Sequence, residues 1–248
     1  MKSSELLEAK EWSLSWLGLN HPFFNISQNI VVNTWIALII ILLLVLPVRW
    51  LLKNKEGTAR FIILEYISTF IDLCKQTLGP YYTFNHFTFI TTLFTFILVC
   101  NIIVVFPWLE EPTKNLNTTL ALGIISFVYT QYYAIIGHGF LAYIKEYFSP
   151  FFIMFPLHVV GKIASIVSVA FRLFGNIFGS AIIGHIWLST IEGSVVREIL
   201  GIVSGMNLLV ILGFFGLFEG FLQAFVFTML SLTYLSIALQ GESDEVEA

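Results

Sequence analysis

Charge is what this sequence has least of. Asp, Glu, Lys and Arg make up 11% of its 248 residues, where a soluble domain carries about a quarter. Together with 57% hydrophobic residues and a mean hydropathy of +0.87, that scarcity excludes a soluble globular chain and implies an integral membrane protein. The alternating ten-residue pattern of an outer-membrane barrel is also missing, so the expected fold is all-α. The apolar runs follow one another too closely to leave room for a separate soluble domain. Cysteine is scarce as well: Cys74 and Cys100 lie in amphipathic or apolar segments without CxxC or metal-ligand spacing. They read as buried free thiols, and no metal or cofactor is expected. The N-terminal stretch "MKSSELLEAKEWSLSWLGLNHPFFN" mixes acids and bases and has no apolar core beside a small-residue cleavage site, so it is not read as a secretory signal.

What is present is a series of apolar runs. Residues 1–29 are expected to be an external N-terminal segment, 30–239 a single membrane domain, and 240–248 an acidic cytoplasmic tail holding Glu242, Asp244, Glu245 and Glu247. The first span is read from Ile30 to Leu52. Arg49, Lys53, Lys55 and Arg60 follow closely, which puts that end in the cytoplasm and the N-terminus outside. "TARFIILEYISTFIDLCKQTLGP" keeps an apolar stripe between Arg60, Glu65, Asp72 and Lys75, and should form a helix along the cytoplasmic interface. A transmembrane hairpin follows, Phe84–Phe106 ended by Pro107 and then Leu116–Ile136, with "PWLEEPTKNLNTT" as its outer loop. "GHGFLAYIKEYFSP" reads as a polar cytoplasmic connection.

Two runs, about 156–191 and 200–239, then continue without a polar turn. A helix of that second length would extend about 60 Å, against a hydrocarbon core of about 30 Å. Each run either hides a re-entrant turn or is one long helix tilted across the membrane. Interior glycines spaced like packing positions favour tilted helices.

On the first long run His158, Lys162, Ser165, Ser168, Arg172, Asn176 and Gly179 recur at helical spacing on one face. A packing seam explains the small residues there equally well. Arg172 is different, because an arginine at bilayer depth costs about 2.5–3.5 kcal/mol on insertion scales and its guanidinium does not deprotonate. It must meet water or an anion. On the last run Glu219 and Gln223 form an i, i+4 pair. If the two helices run antiparallel, Gln223 comes near the depth of Arg172, with Glu219 and His185 closer to the outer side. A carboxylate, an imidazole and amides between two membrane helices suit a wet half-channel. An interhelical hydrogen-bonded cluster is the competing reading.

"FRLFGNIFG" followed by "GFLQAFVFTMLSLTYLSIAL" closely resembles subunit a of the F-type ATP synthases, and "CNIIVVFPWLEEPTKNLNTTLALGI" is similar to an earlier stretch of that family. The resemblance covers about residues 95–240. It implies a non-catalytic stator subunit in the membrane sector, its two long helices packed against a rotating ring of c subunits. A peripheral b stalk, other synthase subunits and the lipid bilayer are the remaining implied partners, and no nucleic acid is among them. Arg172 takes the place of the essential stator arginine, and Asn176, Gln223 and Glu219 line or abut the ion path between two half-channels. His158, Ser165 and Ser168 are candidates for the cytoplasmic half-channel, with Lys162 read as interfacial.

One departure stands out. The relay pair of many relatives would fall at Ala181 and Gly216, so His185 and Glu219 are expected to replace it, each displaced about one turn along its helix. The translocated ion is read as the proton, with Na⁺ as the alternative, since selectivity in the family resides mainly in the ring. A bacterial inner membrane is the expected location, an organellar inner membrane the alternative. A secondary transporter using Arg172 to bind an anion would instead show two similar halves with broken helices, and none are found. A purely structural anchor leaves the deep arginine unexplained.

Overall fold

The computed structural model describes residues 11–12, 26–52, 57–103, 109, 111–147, 153, 155–192, 213 and 216–240. The acidic tail, most of the N-terminal segment, the connection between the two long runs after Glu192, and residues 200–212, 214 and 215 of the second run lie outside them. Strands are confined, among the described residues, to β1 (Glu11–Trp12) paired antiparallel with β2 (Ile26–Ser27). Everything else regular is helical, as the composition requires.

The first expected span is shorter than its apolar run. Helix α1 (Gln28–Val45) stops ahead of Pro47, which has no N–H to donate and whose ring crowds the preceding turn. Pro47 instead starts a short helix, α2 (Val48–Leu51), by accepting the Leu51 N–H at 2.8 Å. Helix α3 (Thr58–Leu78) has the expected amphipathic stripe, with Phe70, Cys74 and Leu78 buried at successive turns and Glu65, Asp72 and Lys75 exposed. It packs lengthwise on the bundle: the Tyr66 and Thr95 hydroxyls pair at 2.9 Å, and Ser236 donates to the Thr77 carbonyl at 2.7 Å. Both cysteines are buried free thiols, and burial pushes the Cys74 thiol up to about 11.

The hairpin comprises α4 (Phe84–Ile102) and α5 (Leu116–His138). Asn115 caps α5 by accepting the Asn117 N–H at 2.8 Å, which is the capping chemistry expected of the Asn/Thr cluster. Gly139 ends α5 at φ +82°, a conformation that strongly favours glycine. The connection that follows is not an irregular loop; its Phe, Leu, Tyr and Ile recur at helical spacing and form α6 (Phe140–Tyr147).

The run read as 156–191 is one unbroken helix, α7 (Phe155–Glu192), of 38 residues. Pro156 falls in its first turn, where the missing N–H has no intrahelical partner to lose. Of the second run, Gly216–Glu219 wind as a π turn leading into α8 (Gly220–Gln240). Among the described residues four helices are long and apolar enough to cross a membrane: α4, α5, the Phe155–Gly175 part of α7, and Gly216–Gln240.

The core lies where α4 and α8 meet, around Ile90, Ile97, Leu232 and Leu235. Helix α5 joins α8 to α7, with Gly123 facing Ile166 and Ala170. A second cluster of Ala37, Cys100 and Ile103 holds α1 on α4.

Candidate functional site

Helix α7 lies at the margin of the bundle, which explains how Arg172 is displayed. Val169, Ala170 and Leu173 are buried against the other helices, while Val160, Ile163, Val167, Phe171 and Phe178 are exposed. Arg172 and Ser168 are exposed beside this apolar face. Among the described residues Arg172 makes no hydrogen bond or ion pair. Asn176 and His185 are placed on α7 by backbone alone, and their side chains lie outside what is described.

One face of α8 carries Glu219, Gln223, Phe227, Tyr234 and Ile237 at helical spacing. Its polar groups fall in two zones. The first surrounds Tyr234, where α5, α7 and α8 enclose a half-open cavity of about 300 Å³. Ser126, Thr130 and Gln131 of α5, Lys162 and Ser165 of α7, and Ser231 and Tyr234 of α8 contribute its polar lining. The Thr130, Ser165 and Ser231 hydroxyls donate to carbonyls of their own helices, at 3.0, 2.8 and 3.0 Å. Each keeps acceptor lone pairs for water, and the volume has room for several waters. Tyr143 donates to Gln131 Oε1, and the Lys162 ammonium lies 5.0 Å from the centre of the Tyr143 ring. Of the three residues expected at the cytoplasmic half-channel, Ser165 lines this cavity; His158 is half-buried outside it and Ser168 is exposed. Lys162, read as interfacial, is in the lining.

The cavity also fixes the direction of the helices. It joins Gly161 and Lys162 near the start of α7 to Ile237 and Ala238 near the end of α8, so the two run antiparallel. At ~1.5 Å per residue, Arg172 lies ~10–15 Å along α7 from Ser165 and Lys162, and that register brings Gln223 about one turn beyond it. Gln223 is 9% exposed and closes part of the interior. Phe227, 3% exposed, occupies the same face of α8 between Gln223 and the cavity.

The second polar zone is at the opposite end of α8. Asn101, 1% exposed, donates its amide to the Gly220 carbonyl at 3.0 Å and accepts the Thr113 hydroxyl at 2.8 Å. A Cβ at position 220 would meet the Asn101 Cβ at 3.0 Å, so glycine is what lets α8 start there. Glu219 stands at the junction of the π turn and α8, half-buried, with Oε2 shielded from solvent and unpartnered among the described residues. Junctions of this kind recur at functional sites. Glu111 precedes the 3₁₀ turn Pro112–Lys114, and its carboxyl is pushed up to about 7. Burial is the main cause; the Lys114 cation opposes it and the charge of Glu219 adds to it.

Sequence reasoning assigned no role to Asn101, Thr113 or His86. An asparagine within the apolar α4 run was a usable signal, since polar groups in membrane helices are expensive. His86, 2% exposed, pairs through Nδ1 with the Tyr129 hydroxyl at 3.0 Å and packs edge-on against Tyr133, a buried tie between α4 and α5. His138 is also structural: its Nε2 donates to the Ala238 carbonyl at 3.2 Å, tying the end of α5 to the end of α8.

Comparison with known proteins gives one answer. The family described as ATP synthase A chain matches residues 31–236. ATP synthase subunit a of Priestia megaterium is 31% identical over 236 residues, covering 90% of this chain and 94% of the relative. Subunit a 2 of a Picosynechococcus species is 32% identical, covering 87% of each chain, and subunit a of Moorella thermoacetica is 31% identical, covering 85% and 90%.

Proposed function

This chain belongs to the ATP synthase A chain family, and from that premise we propose that Arg172 is its fixed charge, answered in trans by a carboxylate on each passing subunit of a rotating c-ring. The chain is the membrane-sector stator of an ATP synthase, serving proton transport and ATP synthesis. Its partners include the other synthase subunits, and the relatives named above are bacterial. The bacterial inner membrane, the c-ring and the b stalk as direct contacts, and the proton as the ion are parts of the proposal.

One observation carries it: Arg172 is exposed beside an apolar helix face and has no partner among the described residues. A guanidinium in that setting favours the ionised form of any carboxylate that reaches it, so an arriving proton must leave. The polar zones on either side of it supply two routes. Protons enter past Glu219 and Gln223, transfer to the ring, and after a near-complete turn leave through the cavity at Ser165 and Tyr234. Phe227 and the positive charge keep the routes from joining. Each proton delivers about 2.3 kcal/mol per 100 mV, so ATP synthesis draws on several in succession.

Glu219 and His185 act here as the displaced relay pair, with Asn176 beside the ring contact. In membrane vesicles, Glu219→Gln and His185→Ala are each expected to lower ATP-driven proton pumping about tenfold while assembled complex and ATP hydrolysis persist. Undiminished coupled pumping in both variants would remove the relay assignment.

A further inference from the structure

We infer that Glu111 is a second carboxylate of the outer route, a relay residue that takes protons from the external solvent and passes them to Glu219. The inference rests on the stator reading above and extends it to an acid of the outer loop "PWLEEPTKNLNTT".

The argument begins with what Asn101 does. Its buried amide reaches in two directions at once, to the Thr113 hydroxyl at 2.8 Å and to the Gly220 carbonyl at 3.0 Å. Glu111 is two positions before the first of these anchors and Glu219 immediately before the second. One asparagine therefore ties together the two segments that carry the carboxylates, through the Thr113 side chain and the Gly220 backbone. The tight contact of Gly220 with Asn101 leaves no slack in this arrangement. The turn that follows Glu111 is held as well, since Pro112 and Thr113 are buried and the turn packs against α1, α4, α5 and α7.

The second strand of the argument is need. Glu219 Oε2 is shielded from solvent and has no hydrogen-bond partner among the described residues, which leaves that oxygen open to a proton donor from within the protein. Burial, and after it the charge of Glu219, raise the proton affinity of Glu111, with Lys114 as the opposing cation. Its affinity for protons suits a shuttle: pushed up to about 7, it is protonated and deprotonated with comparable ease at neutral pH.

The transfer balances simply. The Glu111 carboxylate takes a proton from external hydronium or water and becomes neutral. It then donates that proton, directly or through one water, to the Glu219 carboxylate and regains its negative charge. Glu219 passes the proton inward to the ring carboxylate. Two carboxylates sharing one proton avoid the repulsion of two charges in a partly buried site.

The test uses the whole ATP synthase in vesicles energised by an imposed proton gradient. Glu111→Gln is expected to lower ATP synthesis about tenfold. In the unsubstituted enzyme the rate falls as external pH rises through about 7, because a group with a raised pKa is protonated below that value and empty above it. Glu111→Gln is expected to lose that inflection and Glu111→Asp to keep it, with both variants assembling normally. Lys114→Gln, which removes the opposing cation, is expected to move the inflection upward. An unchanged rate and pH profile in Glu111→Gln would overturn the inference, as would an equal loss of assembled complex in the Gln and Asp variants. Arg172→Ala measured alongside separates the two levels. If it too leaves synthesis intact the stator reading fails, whereas if it abolishes synthesis and Glu111→Gln does nothing, only the role of Glu111 falls.

Discussion

Arg172→Ala is expected to lower ATP-driven proton pumping at least about 100-fold while raising passive proton conduction through the membrane sector. The size follows from electrostatics. Two unit charges 4 Å apart at an effective dielectric of about 20 interact by about 4 kcal/mol, or about three units of carboxylate pKa. Without the guanidinium, a ring carboxylate facing this chain retains its proton about 1,000-fold more strongly, and release becomes the step that stops rotation. The same substitution removes the positive charge that separates the two routes, so protons driven by a gradient alone pass more readily. Arg172→Lys is expected to recover little. An ammonium is a more strongly hydrated point charge that gives up its proton when desolvated, and it lacks the planar fork that meets a moving carboxylate at two points. Pumping is read by quenching of a pH-sensitive dye on ATP addition, and passive conduction by the collapse of an imposed gradient after the catalytic sector is stripped away.

Ser165→Leu is expected to lower pumping in both directions by about tenfold, with little change in assembly. Ser165 lines the half-open cavity of about 300 Å³, where its hydroxyl is already bonded to the Lys162 carbonyl at 2.8 Å. Leucine fills part of that volume with apolar atoms and leaves less room for water along the proposed exit route. Ser165→Ala removes the hydroxyl but leaves the space, and should cost less than threefold. The difference between these two variants, measured as initial pumping rate per assembled complex, separates water-filled volume from a specific hydroxyl relay. Equal, small effects from both would show that the cavity is not on the path.

How much of this was legible in the sequence varies by residue. The spans were legible because burial in lipid needs long apolar runs, and Arg172 was legible because a charge inside such a run is costly. Pro47 was passed over as part of the first span, although its missing N–H ends α1 at Val45. The segment after Gly139 read only as a polar connection, though its apolar residues recur at helical spacing and form α6. Ser165 and Ser168 were indistinguishable on a wheel drawn for α7 alone; only the position of α5 and α8 turns one into a cavity and leaves the other exposed. Asn101 was inside a recognisable stretch without an assigned role, because its partners, Thr113 and Gly220, are distant in sequence and meet it only in the folded bundle. His86 carried no motif at all, and its tie to Tyr129 depends on how α4 packs on α5.

Two routes that open on opposite sides of the membrane and do not connect within this chain are the centre of the proposed mechanism. Cysteine accessibility tests that directly. Cys74 and Cys100 are replaced by alanine, single cysteines are introduced as Ser165→Cys and Glu219→Cys, and each is exposed to a small membrane-impermeant thiol reagent in vesicles of known orientation. The expected result is labelling of position 165 from the cytoplasmic side alone and of position 219 from the external side alone. Labelling of both positions from the same side would contradict it.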